Sequence, residues 1–214
     1  RKIEKIFGQV HVNFGEPIFL DQVLAANQAD QIKLNIHDEL PQTVIQTVDQ
    51  VANSILENIN KAVVVNPISL ISLILLNAEN NALNENDLIS QIEQYRYLLN
   101  DIKYDQRMMM TELSPVEIIQ YAIKLKQVES FSQNNENWIR VAESQRILLS
   151  YFSNNILHCF ILPALVAMII QSYKKFSCHY LIDTIKNMYP YFKEEFFLKW
   201  NLAELENEIG SIIN

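Results

Sequence analysis

Two pairs of adjacent residues carry the imidazole and thiol groups that a metal site or a nucleophile would use. These pairs are His158-Cys159 and Cys178-His179. Zinc sites favour ligands two to four residues apart on a turn, whereas adjacent residues on a helix point about 100° apart. We therefore predict buried thiols and hydrogen-bonded core histidines at these positions, and no metal site.

Two other kinds of chemistry lack their sequence motifs. A Gly-x-Ser-x-Gly motif, which exposes a nucleophilic serine on a sharp turn, does not occur in the chain. A loop that binds a phosphate group needs glycine, and Gly8, Gly15 and Gly210 do not lie in a glycine-rich loop. We expect no cofactor.

The chain is organised around the stretch from Gln145 to Gln171, which is almost wholly apolar in its second half. It is too short to cross a bilayer, which takes roughly 20 continuous apolar residues. We predict one central core helix, kinked near Pro163 because proline lacks the amide hydrogen. Asn154, Asn155 and His158 would form a polar cluster within it. We predict that they are buried and hydrogen-bonded to the loops flanking the 66–76 helix or to the hairpin, because buried polar side chains need partners.

The composition is that of a globular chain. Of 214 residues, 49% are hydrophobic and 20% charged, and the net charge is −8, which opposes nucleic-acid binding. Two cysteines are too few for a disulfide scaffold, so we expect a reduced, cytosolic environment. The chain starts at Arg1 rather than Met, and its helical pattern runs to the last residues. We expect a piece of a longer protein.

The N-terminal segment predicts a single strand. Residues 9–14 alternate apolar with polar side chains, and Gly15-Glu16-Pro17 would end the strand in a turn. One strand is not stable alone, so its sheet partners would lie elsewhere.

The rest predicts a helical body with a small hairpin. Capping residues predict helix starts at Asn66-Pro67, Asn84, Ser114-Pro115 and Asn201. Further predicted elements are a short helix or loop at 21–34, an amphipathic helix at 43–60, a short strand at 62–65, a hairpin of 128–131 with 138–141, and a 178–188 helix broken at Pro190 and then resumed. Phe192, Phe196 and Trp200 would share a helix face, used for core packing rather than for a membrane surface. The fold class is mainly α, with a minor hairpin and one orphan strand.

Several segments resemble a known family. The strand and turn KIFGQVHVNFGEPIFL is similar to the one that closes the acyltransferase domain of glycerolipid acyltransferases. The segment YFSNNILHCFILPALVA resembles a helix signature of bacterial membrane-bound glycerol-3-phosphate acyltransferases. Three more segments resemble the family and occur in its order along the chain: NPISLISLILL, LNENDLISQIEQY and MYPYFKEEFFLKW. The resemblance implies that 1–20 is the last strand and turn of a truncated α/β acyltransferase domain and 21–214 a helical C-terminal region.

The family's catalytic motif does not occur in this chain. It consists of a histidine, the general base, followed after four residues by an aspartate that holds the imidazole. The residues five positions after the four histidines are Glu16, Gln42, Pro163 and Thr184. The resemblance therefore implies a region that follows the catalytic motifs, inactive by itself. It also implies signature residues of structural role: Asn13, Gly15, Glu16, Pro17, Asn154, Asn155, His158 and Pro163.

The function implied is part of a glycerol-3-phosphate 1-O-acyltransferase on the cytoplasmic face of the inner membrane, bound peripherally. Acyl-CoA or acyl-carrier protein and glycerol 3-phosphate would be bound by the catalytic domain outside this chain. Two alternatives stay open: a non-catalytic helical interaction module, in which 66–141 could pass for a winged helix, and the same region of a dihydroxyacetone-phosphate acyltransferase. The cluster at 154–158 would either latch the helical body onto the catalytic domain or contact substrate.

Overall fold

The computed structural model describes residues 10–29, 32, 39–172 and 177–213, and its fold is mainly helical. In the described residues the helices are α1 Leu20–Ala26, α2 Gln42–Lys61, α3 Pro67–Leu76, α4 Glu85–Asp101, α5 Pro115–Lys124, α6 Arg146–Leu157, α7 Ile161–Ser172, α8 Cys178–Phe196 and α9 Leu202–Ile213. The strands are β1 Val64–Val65, β2 Ala82–Asn84, β3 Met109–Met110, β4 Val128–Gln133 and β5 Glu136–Val141. This confirms the predicted fold class in its main features: a mainly α chain with minor β structure.

Helix α3 is the centre of the core. Every residue from Pro67 to Leu75 is buried, as expected for a helix that is apolar on all sides. It packs against α6 most extensively and also against α4 and α5. The two serines on α3 are buried as well, and Ser72 Oγ donates a 2.5 Å hydrogen bond to the Ile68 carbonyl oxygen. Helices α7, α8 and α9 pack on one another, and α1 packs on α2.

The sheets are small. Strands β4 and β5 form the predicted hairpin, and β2, which was not predicted, pairs antiparallel with β5 to give the order β2-β5-β4. Asn134 and Asn135 both have positive φ, as a two-residue hairpin turn requires. A second, two-stranded sheet joins β1 and β3 in parallel. The order α3-β2-α4-α5-β4-β5 is consistent with the winged-helix interpretation of 66–141.

The predicted helix starts are confirmed by their caps. Asn66 accepts from the Ser69 amide, and Asn84 from the Asn86 amide. Ser114 and Glu117 form a reciprocal capping box. Asn201 accepts from the Glu204 amide, while Glu204 accepts from the Asn201 amide. These starts were predictable because a cap depends on residues at most three positions apart.

The predicted N-terminal strand is not formed in residues 10–19, and residue 9 lies outside the described residues. Val10, Val12 and Phe14 are all exposed rather than alternating between a core and solvent. A strand is stable only when its backbone groups are paired in a sheet, and the described part of this chain offers these residues no ladder partner. The short α1 falls within the predicted 21–34 element; residues 30, 31, 33 and 34 of that element are outside the described residues.

The predicted central helix over 145–171 is broken into two. Residues His158 to Phe160 form a turn, and the helical segments on either side meet at 87°. Pro163 is therefore in the first turn of α7, where a missing amide hydrogen costs nothing because that amide would have no partner. Within the described residues no single helix is long and apolar enough to span a membrane. The two helices on either side of the bend reach the required length and apolarity only when they are counted together.

Two predictions for the C-terminal part are wrong. Helix α8 continues through Pro190 instead of breaking there, with Leu181, Ile185 and Tyr189 buried along it. The packing of this face outweighs the one backbone hydrogen bond that proline removes. Trp200 lies after the end of α8 and does not continue its face, whereas Phe192 and Phe196 do stack, with ring centroids 6.3 Å apart.

Candidate functional site

The first signature segment lies against the C-terminal end of α2. The Asn13 amide nitrogen donates to the Ala62 carbonyl oxygen at 3.0 Å and to the Arg107 carbonyl oxygen at 3.5 Å. A carboxylate oxygen of Glu16 is 3.6 Å from Arg107 Nη1. Gly15, Glu16 and Pro17 are exposed. The segment is therefore held at its two ends by polar contacts and covers little apolar surface.

Gly15 is not required here by backbone geometry. Its φ is not positive, and a Cβ added to it would lie 3.6 Å from Asn58 Cβ, an ordinary contact. The predicted turn role of Gly15-Glu16-Pro17 therefore does not depend on the conformational freedom of glycine in this chain.

His158, from the second signature segment, is buried at the same end of α2. Its Nε2 lies 3.1 Å from the Asn60 carbonyl oxygen. Because a carbonyl oxygen can only accept, Nε2 carries the proton. The Tyr104 ring meets the imidazole edge to face, with centroids 4.8 Å apart. The prediction that this histidine is a hydrogen-bonded core residue is confirmed.

Asn60 connects three parts of the chain. While its carbonyl oxygen accepts from His158, its side-chain amide donates to the Phe196 and Phe197 carbonyl oxygens at 2.7 and 3.1 Å. Lys199 completes the arrangement, since its Nζ lies 5.1 Å from the centroids of both the Tyr104 and Trp200 rings. We call Asn60, Tyr104, His158 and Lys199 the junction, because they join α2, the segment after α4, the α6–α7 turn and the end of α8.

Burial holds two side chains of the junction, His158 and Tyr104, and the neighbouring Cys159 in their neutral forms. Burial lowers the pKa of His158 to about 4, and the hydrogen bond to Asn60 opposes that shift. Burial likewise raises the pKa of the Cys159 thiol to about 12 and that of Tyr104 above its usual range. An imidazole whose pKa is lowered to about 4 is a weak base, and a thiol that burial keeps protonated is a poor nucleophile. The geometry is that of a structural joint.

Asp105 is the charged group beside the junction. Burial opposes its ionisation, but hydrogen bonds from Arg107 and the charges of Arg107 and Lys199 outweigh burial and hold the pKa of Asp105 below its usual value. Its Oδ1 is 3.1 Å from Arg107 Nε, and its Oδ2 is 3.9 Å from Lys199 Nζ. The ion pairs therefore link the first signature segment, through Glu16 and Arg107, to the junction.

Asn154 and Asn155 do not belong to a buried polar cluster. Both are exposed, so the prediction that they are buried with His158 is wrong. Helical spacing places them on one side of α6 with Ile147 and Tyr151, which are 90% and 63% exposed. We call Ile147, Tyr151, Asn154 and Asn155 the α6 face. The opposite side of α6, including Leu149, Ser153 and Ile156, is buried.

Pro163 lines an apolar groove of about 600 Å³ on the other side of the bend. Residues of α3, α4, α7 and α9 form the groove together with Leu157 and Phe160. Tyr95 and Phe160 contact each other in its wall, with ring centroids 5.3 Å apart. A smaller concavity of about 410 Å³ lies between the first signature segment and apolar residues of α2.

The remaining reactive residues lie apart from one another. Cys178 and His179 are exposed, so the prediction of a buried thiol and a core histidine is wrong for this pair. His179 Nε2 is 3.1 Å from a carboxylate oxygen of Asp183, one helical turn further along α8. His11 lines a concavity with β3, while Glu16 faces Arg107. In the described part of the chain no three histidine, cysteine or acidic residues are grouped as metal ligands would be.

No sequence pattern points to Asn60, Tyr104, Arg107 or Lys199 as functional residues. The contact between His158 and Asn60 joins residues 98 positions apart, and that between Asn60 and Phe196 joins residues 136 apart. Helical periodicity and capping motifs report neighbours within one or two turns, so they contain no signal for these contacts.

Comparison with known proteins gives one consistent result. The family described as "Glycerol-3-phosphate acyltransferase C-terminal region" matches residues 1–214. Several proteins named glycerol-3-phosphate acyltransferase are similar to this chain. The protein from Haemophilus influenzae strain PittEE is 34% identical over 218 residues, which cover 100% of this chain and 27% of the relative. The protein from Pasteurella multocida strain Pm70 is 30% identical over 217 residues, which cover 100% of this chain and 27% of the relative. A third, from Pseudomonas paraeruginosa, is 32% identical over 205 residues, covering 95% of this chain and 25% of the relative. The chain thus spans about a quarter of the length of these curated relatives.

Proposed function

Because the chain belongs to the family of glycerol-3-phosphate acyltransferase C-terminal regions, we propose that it is the helical part of a glycerol-3-phosphate 1-O-acyltransferase. Such an enzyme transfers an acyl group from a thioester to the 1-hydroxyl of glycerol 3-phosphate. The observation that carries the proposal is the family match over all 214 residues. The names of the relatives support it, each of them about four times as long as this chain.

We propose that this polypeptide by itself has no acyltransferase activity. Each of the four histidines lacks an aspartate five positions later. His158 is buried and donates to a backbone carbonyl, and burial lowers its pKa so far that it is a weak base, which supports a structural rather than a catalytic role. The acyl-CoA or acyl-carrier protein and glycerol 3-phosphate would be bound by the catalytic part of the longer enzyme.

Within that enzyme, the α6 face would pack against the catalytic part. Ile147 and Tyr151 are large side chains exposed on the same side of the helix as Asn154 and Asn155. Apolar side chains flanked by amides that can donate and accept hydrogen bonds are typical of the centre and rim of an interface. This is the latch interpretation of Asn154 and Asn155.

A chimera tests the proposed function. The 214 residues would replace the matching C-terminal quarter of the Haemophilus influenzae relative, and the purified chimera would be assayed with palmitoyl-CoA and glycerol 3-phosphate. We expect acyl transfer by the chimera and none above background by the 214-residue chain alone. A folded chimera without activity contradicts the proposed function. Turnover by the isolated chain that His11→Ala abolishes contradicts the claim that it is inactive alone.

We further propose that the enzyme sits peripherally on the cytoplasmic face of the inner membrane, since its products are lipids, and that it binds no nucleic acid. The net charge of −8 supports the second point. Protease added to intact spheroplasts should leave the chimera uncut, and protease added after lysis should degrade it. Cleavage in intact spheroplasts would contradict the location.

The second candidate is a non-catalytic interaction module, which the winged-helix order of 66–141 favours. The exposed surface of α5, where such a module would contact its partner, carries Val116, Glu117, Ile123 and Lys124. A surface of mixed apolar and balanced charged groups suits a protein better than DNA. An active chimera decides against this candidate. Assaying it with dihydroxyacetone phosphate in place of glycerol 3-phosphate tests the sister activity.

A further inference from the structure

The groove beside the bend has the form of a ligand site. Its volume of about 600 Å³ lies within the range of roughly 300–1,000 Å³ that is usual for small-molecule pockets. Five helices contribute to its wall, so its shape depends on the packed body and not on one loop. The concavity beside α2 is smaller, about 410 Å³.

The chemistry of the lining is that of a hydrocarbon site. No charged side chain is among the described residues that line the groove, and the two polar side chains are those of Asn77 and Tyr95. The Asn77 amide already donates to the Leu73 carbonyl oxygen at 2.7 Å. The Tyr95 ring packs on Phe160. A phosphate or carboxylate would find no cation here, whereas an apolar chain would match a lining that is apolar at all but two side chains.

Two alanines keep the groove open. Ala164 and Ala167 are three residues apart on α7, both line the groove, and both are exposed. Between them, Leu165 is 4% exposed and belongs to the core, while Val166, 3% exposed, belongs to the core and also lines the groove. Larger side chains at 164 and 167 would therefore occupy the groove without disturbing the core.

We propose that this groove binds the hydrocarbon chain of the acyl donor. The inference rests on the proposed function, which is what supplies an acyl group as the occupant. An acyl chain is linear, flexible and uncharged, and it gains affinity with each methylene removed from water. The reacting thioester and glycerol 3-phosphate would lie outside the groove, in the catalytic part, and the groove would hold the far end of the chain.

Binding to the purified 214-residue chain tests the inference without any need for catalysis. The probes are S-dodecanoyl-pantetheine, S-octanoyl-pantetheine and pantetheine alone, used below their micelle concentrations in calorimetric titrations. We expect saturable one-to-one binding of the dodecanoyl thioester and none of pantetheine. A fully buried methylene strengthens binding about fourfold, so four more methylenes in an open groove should strengthen it at least about tenfold. Absence of saturable binding, or equal affinity for both chain lengths, would overturn the inference.

Matched alanine variants locate the site. Ala167→Phe and Ala164→Phe should each weaken dodecanoyl binding at least about tenfold, while their melting curves stay close to that of the original chain. Ala203→Phe is the control, because Ala203 is exposed on α9 and does not line the groove. Unchanged affinity in both groove variants would contradict the assignment. A dodecanoyl thioester with a terminal diazirine should label residues 157–170; labelling of α2 instead would move the site to the smaller concavity.

Further outcomes distinguish an acyl thioester from membrane lipid as the ligand of the groove, and failure of the groove proposal from failure of the proposed function. If the original chain bound no thioester but bound phosphatidylglycerol vesicles in a way that Ala167→Phe abolished, the groove would be a membrane contact and the inference would be wrong. An active chimera combined with no thioester binding refutes the groove alone. Specific thioester binding combined with an inactive folded chimera refutes the proposed function alone.

Discussion

The two sides of the bend at residues 158–160 differ in packing: one side is buried and hydrogen-bonded, and the other borders an open apolar groove. At the junction, His158 is buried, its proton is donated to Asn60, and its ring is packed on Tyr104. Beyond the bend, Ala164 and Ala167 line an open apolar groove that no described residue fills. A satisfied buried site stabilises one conformation, whereas an open apolar groove loses favourable burial unless something occupies it. The difference assigns a structural role to one side and a binding role to the other.

The bend itself produces this division. A straight helix over 145–171 would have left one apolar stripe, but the turn at His158 lets α6 pack on α3 while α7 packs on α8 and α9. Pro163 stabilises the arrangement because the first turn of α7 does not need its amide hydrogen. We infer that the main role of the second signature segment, YFSNNILHCFILPALVA, is to set the position of the bend, and that its single contacts matter less.

The largest expected effect is on stability at the junction. His158→Ala should lower the free energy of unfolding by about 2–4 kcal/mol, since it removes a buried imidazole, its hydrogen bond to the Asn60 carbonyl oxygen and an edge-to-face contact with Tyr104. The matched control is His179→Ala, whose side chain is 85% exposed and should cost less than about 0.5 kcal/mol. Urea denaturation measures both. Equal effects of the two substitutions would remove the distinction between a structural histidine and a surface one.

The pH dependence of stability sharpens the same point. The pKa of His158 is about 4 in the folded protein, against about 6.5 for an unperturbed histidine, so between these pH values the unfolded chain binds a proton that the folded protein does not. The contribution of His158 to the free energy of unfolding is therefore fully present above pH 6.5 and is lost as the pH falls towards 4. The loss between pH 6.5 and pH 5 is about 2 kcal/mol. His158→Gln, which cannot take up the proton, should remove that part of the pH dependence, and His179→Gln should not. The same slope in His158→Gln as in the original chain would show that another group is responsible.

Asn155→Leu tests whether the α6 face, which is exposed in this chain as the groove is, packs against the catalytic part of the enzyme. In the isolated chain it should change the free energy of unfolding by less than about 0.5 kcal/mol, because the amide is exposed. In the chimera it should lower the melting temperature or the yield of intact enzyme, with the Michaelis constant for glycerol 3-phosphate little changed. A stable chimera with a much higher Michaelis constant would instead place Asn155 at the substrate.

The smallest effect is expected at Gly15. A methyl group there meets Asn58 Cβ at 3.6 Å, and the backbone does not need positive φ. Gly15→Ala should therefore shift stability by no more than about 0.5 kcal/mol in the isolated chain. Thermal denaturation measures this. A loss of several kcal/mol would mean that the first signature segment is packed as tightly as the junction.

Local features of the fold could be predicted from the sequence, and long-range ones could not. The caps at Asn66, Asn84, Ser114 and Asn201 depend on residues within three positions and were predicted correctly. The break at 158–160 was missed because an apolar run with one proline is compatible with both a kinked helix and two helices. The N-terminal strand was overpredicted because alternation reports a possible face but not the presence of a partner strand.

The same limit applies to the candidate site. Family resemblance identified His158 and Pro163, but their separate roles follow from contacts with α2 and with α3, α4 and α9, which lie far away in the chain. Asn60 has no distinguishing sequence pattern, since an asparagine near the end of an amphipathic helix is ordinary. Exposure of Asn154 and Asn155 was likewise hidden, because α6 buries its opposite side.

The most direct test of the account is whether the α6 face is covered in the enzyme. Asn155→Cys in a Cys178→Ser background would be labelled with a maleimide in the isolated chain and in the chimera. The remaining thiol, Cys159, is buried and should not react, because burial raises its pKa to about 12. Ser132→Cys, exposed on the hairpin, reports the intrinsic labelling rate in both proteins. We predict rapid labelling of Asn155→Cys in the isolated chain and labelling at least about tenfold slower in the chimera, with Ser132→Cys unchanged. Equal rates for Asn155→Cys in the two proteins would contradict the claim that this face packs against the catalytic part.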